Sequence, residues 1–217
     1  MEPAVVTRSA LTAELRAVAW RPVLGANAAA VLVLALDASL WPGGPGSVTA
    51  WLGAALLAGA ASFALDQPAA GAVQSVPTSR AWRMAVRAAA GLLVVLAAWI
   101  AYAVVWRAQR PVAVPAWWAQ LLVGAALVAV GLGLCAALLR RGQDEPAATV
   151  AGGLVLAVLA LGMVPIPGDL AVLDLSGERG STTAFWTALA VAGAVGLAWG
   201  SRDEGSRWRG PHARAGH

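Results

Sequence analysis

"RAWRMAVRAAAGLLVVLAAWIAYAVVW", residues 80–106, begins with Arg80, Arg83 and Arg87 and then runs without a charge to Trp106. A helix needs ~20 mostly apolar residues to cross the ~30 Å hydrocarbon layer of a bilayer. The stretch has that length, and its arginines stand at one end only, where they can meet lipid headgroups. It reads as a membrane-spanning helix with a basic start.

The rest of the chain agrees with it. Of 217 residues, 59% are hydrophobic and only 12% are charged, whereas a soluble domain carries about 25% charged residues. That balance excludes a soluble globular domain and predicts an all-α, polytopic membrane protein. Every one of the 15 basic residues is Arg. In a soluble protein a net charge of +4 would suggest nucleic acid. Here the arginines flank apolar runs, so the expected partner is the lipid bilayer and no nucleic acid.

Reading for spans gives about six: residues 23–40, 48–65, 84–106, 117–139, 147–166 and 184–200. Pro165 and Pro167 are expected to end the fifth. Residues 1–200 then form a single transmembrane domain, and 201–217 form a basic tail expected to be disordered. Orientation follows from the arginines, which gather on the cytoplasmic side. With the N-terminus inside, the inner segments hold 12 arginines and the outer loops only Arg107, Arg110 and Arg179. Both termini are therefore expected in the cytoplasm of a plasma membrane, bacterial by composition. Trp20, Trp41, Trp51, Trp106, Trp117, Trp118, Trp186 and Trp199 lie near the ends of these runs, as amphipathic rings at a headgroup layer should.

Ahead of the first span, "RSALTAELRAVAW" (8–20) places Leu11, Leu15, Val18 and Ala19 at helical spacing, with Glu14 and Arg16 opposite. This predicts a short interfacial helix lying on the inner leaflet, its charges turned away from the apolar face. The alternative, a signal peptide, is disfavoured by the long charged lead-in.

Few residues suggest chemistry. His212 and His217 are both in the tail, and Cys135 sits mid-run, where a buried inert thiol is expected. No metal-ligand spacing, phosphate loop or acid–base set is visible, so the expectation is no catalytic residue, no metal and no cofactor bound by this chain. Asp37 is the clearest candidate for an acid within the apolar layer, where acids mark substrate or proton paths. Its place near the end of its span favours the outer interface instead. Asn27 is a second possible intramembrane polar site, able to hydrogen-bond a neighbouring helix. Gly196 and Gly200 stand four apart, a weak signal for close helix approach in a chain with 24 glycines.

The link between the second and third spans carries the most pattern. In "FALDQPAAGAVQSVPTSRAWRMAVR" (63–87), Asp66 ends a span and Pro68 keeps Gln67 out of a helix. Pro77 breaks the chain again, and Thr78 or Ser79 offers an N-cap. Arg80, Arg83 and Arg87 then share one helical face, with Trp82 elsewhere in the headgroup layer. Either the link contacts a partner or its arginines only enforce orientation.

Six spans, an interfacial N-terminal helix and this link together resemble the permease subunits of type-2 ATP-binding-cassette exporters, in their actinobacterial-like form. The arrangement of Leu65, Asp66, Pro68, Ala69, Val76, Pro77, Thr78, Arg80 and Arg83 carries the likeness. The resemblance implies a membrane subunit of an ATP-driven exporter, with ATP bound by a separate cytoplasmic ATPase subunit and a second copy or related membrane subunit beside it. It implies that Asp66, Pro68, Pro77, Arg80, Trp82, Arg83 and Arg87 form the contact to that ATPase. The competing expectation is a non-transporting scaffold, accessory or immunity-type partner. It draws on nearly polar-free spans and small-residue spacings.

Overall fold

A computed structural model describes residues 3–40, 47–66, 79–109, 117–163 and 180–202. Seven α-helices account for nearly all of them: α1 Pro3–Ala17, α2 Trp20–Leu40, α3 Ser47–Phe63, α4 Arg80–Gln109, α5 Trp117–Arg140, α6 Ala147–Met163 and α7 Gly180–Ser201. The all-α expectation holds. Among the described residues, three segments are long and apolar enough to cross a membrane: Arg80–Ala101, Leu121–Arg140 and Thr183–Ser201. Trp51–Phe63 and Ala147–Leu161 are shorter apolar helices.

Small residues fill much of the interior, among them Ala54, Ala55, Ala58, Ala60 and Ala61 of α3, beside buried Trp51, Leu57, Leu127 and Trp186. Other large side chains turn outward: Leu93 is 67% exposed, Leu156 68% and Val195 62%. In lipid no hydrophobic force drives such leucines inward, and small residues let backbones approach. Helix α3 is the hub, packed against α2, α4, α5 and α6. Gly91 of α4 lies against Ala61 and Ala64, and Gly59 of α3 lies against Ala151 of α6. Arg87 and Ala147 both bond to Asp66, just past the end of α3, so α4 and α6 run antiparallel to α3.

The most extensive pairing is α5 with α7. Gly133 and Gly193 meet backbone to backbone, and a methyl group on Gly200 would come within 2.7 Å of Ala136. The weak glycine signal in the last span therefore marks a true seam. At the end of α5, Gly142 takes φ +89°, Gln143 N–H bonds Leu138 O at 3.2 Å and Gly142 N–H bonds Leu139 O at 3.2 Å. This glycine-ended stop satisfies the last carbonyls of α5 and turns the chain directly into α6.

Helix α1 departs from expectation. The sequence sets Glu14 on the polar side of an interfacial helix, yet it is 1% exposed; Leu11, at 40% exposed, stays outward as a leaflet-facing side chain does. The buried face is Ala10, Glu14 and Val18, one residue per turn. Glu14 is buried because it pairs with Arg87 of α4. The corner into α2 is pinned by Trp20, whose indole N–H donates to Leu15 O at 2.7 Å.

Candidate functional site at the basic end

One end of the bundle gathers the finish of α3, the starts of α4 and α6 and the turn after α5. The geometry begins with Ser79. Its hydroxyl accepts the Trp82 backbone N–H at 3.2 Å, and its carbonyl accepts Arg83 N–H at 3.2 Å. This is the expected N-cap, and it sets the rotation of α4. Arg80, Arg83 and Arg87 then line one polar cavity of about 130 Å³, together with Met84, Leu139, Gln143 and Asp144.

Arg87 is the innermost of the three and is 4% exposed. Its Nε donates to Glu14 Oε2 at 2.8 Å, and the two side chains are 5% and 2% exposed. Its Nη1 reaches the Asp66 carbonyl at 3.3 Å. One guanidinium thus ties α1, α4 and the end of α3 together. Glu14 Oε1 has no hydrogen-bond partner among the described residues.

Asp66 works from the other side. Its Oδ1 accepts the backbone N–H of Ala147, the first residue of α6, at 3.0 Å. It therefore caps α6 from a distant part of the chain, where a carboxylate also suits the positive end of the helix dipole. Burial raises the Asp66 pKa from 3.8 to about 6; the Ala147 hydrogen bond opposes the rise, and the nearby Glu145 adds to it.

Arg140 closes the same end of the α5–α7 pair. Its guanidinium lies 4.3 Å from the Trp199 ring centroid, and Nη1 donates to the Trp199 carbonyl at 2.5 Å. Chemically, the arginines lining this end can attract acidic or phosphate-bearing groups. Among the described residues, no three His, Cys, Asp or Glu side chains converge where they could hold a metal.

The predicted residues divide clearly. Arg80, Arg83 and Arg87 come together around the cavity, and Asp66 joins them through backbone contacts. Trp82 is half-buried in the first turn of α4 and does not line the cavity. Pro68 and Pro77 lie outside the described residues. Asp37 lies in the last turn of α2. Asn27 does not bridge to another helix as expected. It is buried, and its Nδ2 donates to Val23 O of its own helix at 2.8 Å. Its Oδ1 is buried with no hydrogen-bond partner among the described residues.

Glu14, Gln143 and Asp144 were missed. Glu14 stood in view as the middle of Ala10, Glu14 and Val18, four apart, and its buried partner is 73 positions away. No local pattern announces such a pairing. Against this geometry the comparisons are silent: no family model, no curated protein and no solved structure matches the chain.

Proposed function

We propose that this chain is the membrane-spanning subunit of an ATP-driven exporter of the ATP-binding-cassette type. In this reading six spans cross the plasma membrane of a bacterium with both termini inside. A separate cytoplasmic ATPase subunit docks on the 66–87 segment, and a second copy or related subunit completes the transporter. The observation that carries the reading is the arrangement around Arg87. The start of α4 offers Arg80 and Arg83 around a polar cavity, while the next turn is bonded to α1 and the end of α3. Asp66 extends that linkage to α6.

A push on the segment would therefore reach four helices. An ATPase that binds the segment better in one nucleotide state would shift the bundle between two packings by that difference in affinity. ATP chemistry belongs wholly to the partner, and this chain supplies the docking face and the moving spans.

The test is purification of the tagged chain from its native membrane in gentle detergent, with co-purifying proteins identified by mass spectrometry. A stoichiometric ATPase is expected, and Arg80→Glu with Arg83→Glu should release it while Arg87 still holds the fold. An ATPase that stays bound to the double variant would refute the docking face. Recovery of an unrelated membrane partner instead would favour the scaffold reading, which the broad outward apolar faces of α6 and α7 also suit.

A further inference from the structure

The polar cavity at the basic end carries more positive charge than the fold uses. Arg87 is committed to the structure through Nε, bonded to Glu14, and Nη1, bonded to the Asp66 carbonyl. Its Nη2 has no partner among the described residues, and Arg87 lines the cavity while only 4% exposed. Arg83 is half-buried and lines the same space with no side-chain hydrogen bond or ion pair among the described residues. Arg80 stands one turn earlier, and Gln143 adds a neutral amide. The nearby acids do not cancel this charge. Glu14 is held by Arg87, and the Asp66 carboxylate by the Ala147 N–H. Asp144 and Glu145 are exposed, and neither forms an ion pair among the described residues.

Two features decide the ligand. A carboxylate offers two oxygens and is matched by one arginine fork, whereas a phosphate offers oxygens enough for two or three arginines. Three arginines lining one cavity therefore suit a phosphate better. The second feature is depth. Arg80, Arg83 and Arg87 occupy the first turns of Arg80–Ala101, a segment long and apolar enough to cross a bilayer. That places the cavity at the level of lipid headgroups. We propose that this cavity binds one phosphate group, and its depth points to an anionic phospholipid headgroup as the source. The assignment goes beyond the exporter reading and does not need it, because its test uses this chain with no ATPase present.

The test is native mass spectrometry of the full, delipidated chain in a non-ionic detergent. Phosphatidylglycerol is titrated in, against diacylglycerol with the same acyl chains and with inorganic phosphate as competitor. One phosphatidylglycerol per chain is expected to bind saturably, and diacylglycerol, which lacks the phosphate, is expected not to bind. Arg80→Gln and Arg83→Gln should each weaken binding at least about tenfold, as loss of a charge-assisted hydrogen bond does. Arg141→Gln removes an equal charge from an exposed arginine outside the cavity and should change binding less than about threefold. Circular dichroism and a single elution peak check that each variant is folded, and two lining variants guard against one failing. Displacement of the lipid by dilute inorganic phosphate would name a free phosphate as the source for the same site. Equal binding of diacylglycerol, or equal weakening by Arg141→Gln, overturns the site. So would displacement by a triglutamate peptide where phosphate fails, which would give the cavity to a protein's acids.

Discussion

The two ends of α3 are held by different physics. At its start, Trp51 stacks on Trp186 of α7 with ring centroids 5.4 Å apart and planes 19° from parallel, and Phe185 meets Trp186 edge-on at 5.3 Å. At its finish, Asp66 caps α6 and its carbonyl takes a hydrogen bond from Arg87. Stacked rings need only shape, and they tolerate small slips. A buried ion pair needs both partners, because an unmatched charge left in a low-dielectric place is far costlier than the pair is beneficial. The difference makes the basic end brittle and the aromatic end forgiving. A brittle junction is also a suitable place to switch a structure from outside.

Three changes break or sharpen that contrast. The largest effect should come from Arg87→Ala, which strands Glu14 in the interior; a loss of about 3–5 kcal/mol is expected. Glu14→Gln combined with Arg87→Leu should recover much of it, since the stranded charge is then gone. Equilibrium unfolding in mixed micelles would measure both, and a single variant within about 1 kcal/mol of the parent would show the pair to be unimportant.

Next comes the pH dependence of Asp66. Its folded pKa, about 6, stands above the ordinary 3.8, so the folded protein holds this proton more tightly than the unfolded chain does. Its contribution to stability is complete below about 3.8 and is lost as pH rises through 6, a change on the order of 2 kcal/mol. Asp66→Asn keeps an acceptor for Ala147 and removes the titration, so its stability should be flat across that window where the parent's falls. Identical pH profiles for the two would rule out the titration.

The smallest effect belongs to the aromatic end. A double-mutant cycle of Trp51→Leu and Trp186→Leu should give a coupling of only about 0.5–1.5 kcal/mol. A coupling as large as that of Glu14 with Arg87 would erase the contrast between the two ends.

Much of this was legible in the chain. Continuous apolar length foretold the long helices, a cap at Thr78 or Ser79 foretold the start of α4, and the spacing of Arg80, Arg83 and Arg87 put them on one helical face, which the structure turns to one cavity. These are local matters of period and capping, and local pattern carries them. Glu14 departs from the polar side of an interfacial helix because its partner Arg87 lies 73 residues away, where no local period reaches. The glycine seam of α5 and α7 was only hinted at, since glycines abound and spacing alone does not say which of them meet.

By itself, then, the sequence determined a helical chain with apolar helices of membrane length and a capped, arginine-faced α4. Only the tertiary structure decided that Arg87 pairs with Glu14, that Asp66 caps a helix 81 residues onward, and that three arginines line one polar cavity. Periodicity is written in neighbours along the chain. Partnership between distant residues depends on which helix faces lie together, and that is settled by small residues allowing some backbones to touch and large ones holding others apart.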